Sequence, residues 1–344
     1  MFKPTVVRWE AKAFNVEPRA FFSKLTTFVR QFSANIKNKY FMSDLIQPSL
    51  GRQYINPYLV PEFYEKLRPR YMWKNIQSEE SLIADILDNI VHTQSVRFPL
   101  AIELGCGTGR FTKVLAQFSE HLIAIDPSEL MVSHCSKLLQ NMTSCDVYQS
   151  SAQDIVASGI VSKANLVTAF WSLSYPLQSF FELTLENDGR IVQKGTDAEA
   201  VKQAELFLNN LFSNDVRCTY LFIFFSDESE EQKWVTKKWQ QIGLLPGGSR
   251  NFTWLLLKKH LDRLIKQGHI VKSEIIEGWL NCPDELTLVN VFLDHHLRGL
   301  TPLQTNRDEL ITELIEEMSC FRFEENGSFQ VPSAFRLVQV NLTK

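Results

Sequence analysis

Three glycines at alternate positions, in Gly105-Cys-Gly107-Thr-Gly109, constrain this chain more than any other feature. Before them, Phe98-Pro-Leu-Ala-Ile-Glu-Leu104 is a short apolar run that reads as a buried strand. After them, Phe111, Val114, Leu115 and Phe118 recur at helical spacing. A glycine turn between a buried strand and a helix lets a ligand approach bare backbone. The helix start adds free N–H groups and the positive end of a dipole.

The neighbouring pattern extends this unit into a sheet. Leu122-Ile-Ala-Ile-Asp126, Val147-Tyr148, Leu166–Trp171 and Tyr220–Phe225 read as further strands. Helical periods separate them, over 79–91 and from Pro127-Ser128-Glu129 onward, with Ser128 as the expected N-cap. Strands apolar on both faces that alternate with helices predict a parallel sheet covered on both sides. Farther on, Leu286–Leu293 and Phe335–Leu342 read as strands around a helix marked by Leu310, Ile311, Leu314, Ile315 and Met318. Asn326-Gly327 signals a tight turn. The expected fold is a Rossmann-like doubly wound α/β sheet, mostly parallel and seven-stranded, with an antiparallel edge strand. A helical N-terminal cap and insertions are added to it. The stretches 172–219 and 226–285 are too long for single crossover helices. They carry helical patterns at Val201–Phe212 and Phe252–Gln267, and are expected to build the substrate side of a pocket. The expected organisation is a basic cap over 1–57, a nucleoside-binding core over 58–225, and a part over 226–344 that completes the sheet.

The loop spacing discriminates between ligands. A dinucleotide fingerprint wants glycine or alanine at position 110, where this chain has Arg110, and no G-x-x-x-x-G-K-[ST] is present. Glu103 precedes the loop, placed to hold it or an ammonium group. Asp126 ends the second strand, where a carboxylate suits two ribose hydroxyls. A nucleoside without a phosphate meets these conditions, and S-adenosylmethionine is one.

On these residues the chain resembles the class I S-adenosylmethionine-dependent methyltransferases over roughly residues 60–225. The resemblance implies that Glu103, Gly105, Cys106, Gly107 and Gly109 hold the methionine part of the cofactor. Asp126, with Pro127, takes the ribose. Ser151-Ala152-Gln153 lies at the adenine, where the family often has Asp at the first position; Asp154 stands nearby. Asn165 opens the fourth strand where Asp is frequent, and Phe170 and Trp171 close it at the site. Phe63-Tyr64-Glu-Lys-Leu-Arg68-Pro69-Arg-Tyr71 is similar to the Y-x-x-x-R-P-x-Y segment of small-molecule members. That similarity implies that Tyr64 or Arg68 closes over the cofactor, with Arg68 near its carboxylate.

Methyl transfer is an in-line displacement in which proximity supplies most of the rate, so few catalytic groups are needed. Phe170-Trp171-Ser172-Leu173-Ser174-Tyr175-Pro176 is not the [DNS]-P-P-[YF] of enzymes that methylate nucleobases, DNA or glutamine. Trp171 and Tyr175 are candidates to wall an acceptor pocket or are core aromatics. His295 and His296 follow an expected strand and are candidates for a general base or for a capping role. The acidic run Asp227–Glu231 reads as a solvated helix start.

Composition narrows the rest. Of 344 residues 44% are hydrophobic, the net charge is −3, and aromatics reach 12% with 25 Phe, which excludes a disordered chain. The charge is uneven: residues 1–40 hold eight Lys/Arg against Glu10 and Glu17, and Phe21, Phe22, Leu25, Phe28, Val29 and Phe32 recur there at helical spacing. A docking cap, a targeting peptide, and an RNA- or lipid-contacting helix are its three readings. The six cysteines form no C-x-x-C, as in a reduced cytoplasmic protein, and the seven histidines show no metal-ligand spacing. No apolar run is long enough to span a bilayer. The leading expectation is a cytoplasmic small-molecule methyltransferase, monomer or homodimer, using S-adenosylmethionine and no metal. An RNA or protein methyltransferase gripping its substrate with the basic arm, and a catalytically silent regulator on the same fold, are the alternatives.

Overall fold

In the computed structural model the apolar runs assemble as the parallel half of one sheet. The structure describes residues 70–94, 97–181, 183–185, 191–193, 196–241, 251–297 and 306–343, together with 61, 64 and 65. All of them fall within one compact unit, Gln53–Lys344. The cap expected over 1–57 and the candidate Arg68 lie outside the described residues.

In chain order the elements are β1 (Tyr71–Trp73), α1 (Glu79–Gln94), β2 (Ala101–Leu104), α2 (Thr112–Phe118), β3 (Leu122–Asp126), α3 (Glu129–Leu138), β4 (Cys145–Gln149), α4 (Ala152–Ala157) and β5 (Leu166–Phe170). Next come α5 (Ser174–Ser179), β6 (Leu183–Leu185), β7 (Ile191–Gln193), α6 (Asp197–Leu211), β8 (Cys218–Phe225), α7 (Glu230–Gln241), α8 (Phe252–Lys266) and β9 (Ile270–Cys282). The chain continues through α9 (Glu285–Val289), a π-helix (Asn290–His296), α10 (Arg307–Met318) and β10 (Phe329–Leu342).

One sheet runs β1-β9-β10-β8-β5-β2-β3-β4, and β6 pairs with β7 apart from it. From β4 through β3, β2 and β5 to β8 the strands are parallel. β10 is antiparallel to both β8 and β9, and β1 is antiparallel to β9. The sheet is therefore Rossmann-like and doubly wound, with eight strands where seven were expected. Every residue of β2, β3 and β5 is buried, because helices cover both faces. Ile83, Leu87 and Leu115 of α1 and α2 pack with Leu221, Ile223 and Leu337 on one face. Ser128 caps α3 as expected, its hydroxyl accepting from the Met131 N–H at 3.4 Å.

The chain leaves β2 for β3 and β4, then crosses back to place β5 on β2's other side. The crevice at the carboxyl ends of β2 and β5 is the switch point where such sheets bind ligands. The loop after β2 and the turn after β5 meet there.

Two expectations are corrected. Leu286–Leu293 is not a strand but α9 followed by the π-helix. Asp284 caps α9, accepting from the Thr287 N–H at 2.7 Å, and Leu288, Val289, Val291, Phe292 and Leu293 are all buried among α7, α10 and the sheet. A short, nearly continuous apolar run suits a buried helix segment as well as a strand. The strand is Ile270–Cys282 instead, which pairs with β10 over its length despite Lys272, Glu274 and Glu277. At Gly278 the neighbouring β1 comes so close that an added Cβ would lie 2.2 Å from the Met72 carbonyl oxygen.

Candidate functional site

The glycine loop is built by contacts that tolerate little side-chain volume. Gly105 has φ +82°, and a Cβ there would stand 2.5 Å from the Ser172 Cβ. Ser172 opens the turn after β5 and donates its hydroxyl proton to the Leu104 carbonyl, so the two loops are joined. The Gly105 and Cys106 N–H groups both donate to the Ile125 carbonyl at 2.8 Å. Arg110 faces away, pairing with Glu79 and Glu80 of α1 at 3.6 and 3.3 Å. Thr108 donates to Glu65 at 2.5 Å, tying the loop to the segment that carries Tyr64.

Asp126 sits at the end of β3 with its carboxylate between two loops. One oxygen accepts from the Gly107 N–H at 3.0 Å and the other from the Ser128 N–H at 2.9 Å. Burial raises its pKa above the usual aspartate value, and these two donors offset part of that rise. A carboxylate has about four acceptor positions. The two N–H groups therefore leave acceptor capacity on both oxygens for a pair of hydroxyls.

Glu103 is placed differently. It lies within β2, beneath the loop and off the cavity wall, and burial pushes its carboxyl up to about 8 against a hydrogen bond from Thr112. It carries a proton over most of the neutral range and braces β2 against α2.

A cavity of about 530 Å³ opens over this ground. Among the sequence candidates, Tyr64, Gly105, Gly107, Asp126, Pro127, Ser151, Ala152, Gln153, Phe170, Trp171 and Tyr175 line it. Glu103, Cys106, Gly109, His295 and His296 do not. Cys106 packs with Ala124, Cys135 and Leu139, and a Cβ at Gly109 would meet the Cys135 sulfur at 2.9 Å. Leu104, Ser128, Met131, Ser150, Ser172, Leu173 and Pro176 complete the wall, none of them a site candidate from the sequence.

The positions where Asp is frequent have local duties here. The Ser151 hydroxyl caps α4, accepting from the Asp154 N–H and donating to the Asp154 carboxylate at 2.7 Å. Asn165 accepts from the Leu100 N–H at 3.3 Å and donates to the Arg217 carbonyl at 3.4 Å. Gln153 reaches Ser179 of α5 at 2.7 Å, closing that side of the cavity.

Trp171 is the one non-glycine residue among those described with positive φ, at 60°. A bulky residue there is strained, and such strain gathers at ligand clamps and active sites. Its ring stacks on Tyr71 with centroids 5.9 Å apart and lies 5.0 Å from Phe225.

His295 and His296 end the π-helix, not a strand, and both are buried. His296 Nε2 lies 2.6 Å from Glu231 Oε1, and the His295 ring is 5.9 Å from that of Tyr64. Glu231 is itself 1% exposed, so the acidic run is not wholly a solvated helix start. The sequence marked it only as the end of an acidic run, because its partners come from β1, β10 and the π-helix.

The residues present fit an adenosyl group bearing an amino-acid tail. Gly107 lines the cavity and a Cβ there would meet nothing within 4 Å, Asp126 keeps acceptor capacity, and Pro127, Met131 and Phe170 offer apolar walls. The volume is within the range of small-molecule sites.

Residues 101–192 match the family model described as "Methyltransferase domain". No curated protein matches the sequence. Among solved structures, YcgJ from Bacillus subtilis is 11% identical, with 75% of this chain and 98% of that chain covered at a TM-score of 0.42. An S-adenosylmethionine-dependent methyltransferase from Clostridium acetobutylicum is 13% identical, covering 60% and 63% at 0.33. Precorrin-6y C5,15-methyltransferase from Geobacter metallireducens is 5% identical, covering 79% and 94% at 0.36. The matched stretch runs from β2 to β7, so the methyltransferase-domain likeness covers the part of the sheet whose switch point carries the glycine loop and the strand-end acid.

Proposed function

We propose that this chain transfers a methyl group from S-adenosylmethionine to a small-molecule acceptor. The observation that carries the reading is the single cavity wall shared by the glycine loop, the Asp126 carboxylate and an aromatic rim of Tyr64, Trp171 and Tyr175. When bound, the cofactor supplies an electrophilic methyl on a sulfonium. Gly105 and Gly107 give it bare backbone, and Asp126 accepts from the ribose hydroxyls. Ser151, Ala152 and Gln153 lie along the adenine, with Pro127 beside it. Trp171 and Tyr175 confine the acceptor. Tyr175 is 42% exposed at the mouth, on the side where an acceptor enters. A small, largely apolar cavity favours a compact guest over a polymer, and holding two reactants in line supplies most of the rate.

The test is calorimetric titration of the full chain with S-adenosylmethionine and with S-adenosylhomocysteine. Micromolar binding of both is expected. A screen of small acceptors, read by a gain of one methylene mass, then identifies the substrate class. Absence of binding in folded protein free of co-purified ligand would reject the reading.

A further inference from the structure

Behind the cavity, outside its lining, lies a polar cluster centred on the buried Glu231, with His296 and Ser333 buried and Tyr71 half-buried. Its Oε1 accepts from the Tyr71 hydroxyl at 2.8 Å and from His296 Nε2 at 2.6 Å, and its Oε2 accepts from the Ser333 hydroxyl at 2.5 Å. The four side chains come from α7, β1, the π-helix and β10, elements with no common sequence neighbourhood. Burial, the largest single influence, raises the Glu231 pKa. Bonds from His296, Ser333 and Tyr71 together outweigh it and hold the carboxyl below the usual glutamate range.

Taking a carboxylate out of water costs several kcal/mol, and a well-packed apolar cluster of the same volume is often at least as stable. Stability alone therefore gives a poor account of this group. Its geometry gives a better one. The Tyr71 ring, fixed by its hydroxyl, stacks at 11° on Trp171, the strained residue of the cavity wall. His296 stands 5.1 Å from His295, whose ring faces Tyr64 on the same cavity. Phe225 touches both branches, 5.0 Å from Trp171 and 6.5 Å from His296. One carboxylate thus stands behind both aromatic walls, one supplied by the chain before the sheet and the other by the turn after β5. The π-helix, a rare geometry that is frequent at functional sites, delivers the two histidines to it.

We propose that Glu231 is a positioning residue for the cavity, fixing Trp171 through Tyr71 and Tyr64 through His296 and His295. It touches no ligand. It sets where the two rings stand, and with them the width of the site. The inference rests on the reading of the cavity as the cofactor and acceptor site.

The experiment uses the full chain labelled with 5-fluorotryptophan, with the Trp171 fluorine resonance assigned from Trp171→Phe. Tyr71→Phe keeps the ring and removes only the bond to Glu231, and Glu231→Gln keeps the shape and removes the charge. In both, the Trp171 resonance is expected to shift or broaden while those of Trp279 and Trp239 stay. The affinity for S-adenosylhomocysteine is expected to fall about threefold in the first variant and about tenfold in the second. If Glu231→Gln does not fold, Tyr71→Phe decides alone. An unmoved Trp171 resonance in folded Tyr71→Phe overturns the proposal, whether or not the ligand binds. A moved resonance in protein that binds no S-adenosylhomocysteine keeps the positioning role and rejects the reading of the cavity instead.

Discussion

Glu103 and Asp126 lie on neighbouring strands at one loop; burial raises both carboxyls, and at Asp126 two backbone N–H donors offset part of the rise. Asp126 reaches the cavity, so Asp126→Ala is expected to weaken S-adenosylmethionine about tenfold or more, on the order of 1.4 kcal/mol, in calorimetric titration. Unchanged affinity would remove it from the site. Glu103 has a folded pKa of about 8 against an ordinary value of 4.5. A carboxyl raised on folding costs nothing below the ordinary value. Its cost grows as pH climbs through the interval and is complete above the folded value. Glu103→Gln is therefore expected to gain stability relative to the unaltered chain between pH 5 and pH 8 in urea unfolding, and parallel curves would refute the assignment. Gly105→Ala is expected to abolish ligand binding, because its Cβ and Ser172 would claim the same space. The glycines and Asp126 were legible in the sequence since a turn and the strand end next to it are local. Glu231 was not, since its burial depends on Tyr71, 160 residues away.

At the scale of elements, legibility followed burial. The strands β2, β3, β5 and β8 are nearly continuous apolar runs, which declare themselves. β9 is largely exposed over its first half and carries Lys272, Glu274 and Glu277, and only pairing with β10 makes it a strand. The stretch 286–293 misled for the converse reason: five of its eight residues are buried, Leu286 being exposed, and so dense an apolar run shows no clear helical period. β1 is three residues long and was invisible, yet it carries Tyr71 against Trp171, which lines the cavity. Its seat depends on Gly278. Gly278→Ala would force the β1 backbone away, and a loss of about 1–3 kcal/mol is expected in chemical denaturation, as for other overpacked sites. The Lys74 amide, bonded to the Glu277 carbonyl at 2.9 Å, is expected to lose protection from hydrogen exchange in the same variant.

For the whole molecule, the cavity draws on three separate stretches: Tyr64, the loops after β2 to β4, and the turn after β5 with α5. A ligand that bridges them binds the folded chain and not the unfolded one. S-adenosylhomocysteine at about 100 times its Kd is expected to add about 2.7 kcal/mol to the unfolding free energy, seen as a concentration-dependent rise in Tm. No such rise would mean that the cavity holds another guest. The position of β10 has a separate consequence. It follows every other strand of the sheet in sequence, yet it lies inside the sheet between β8 and β9. On the ribosome, the parallel half that holds the glycine loop emerges first, with the edge of β8 bare. At about 5–20 residues per second, that edge waits on the order of ten seconds for its partner. A nascent chain of this kind is open to strand pairing with its neighbours during that interval, and it is there that a chaperone would matter most.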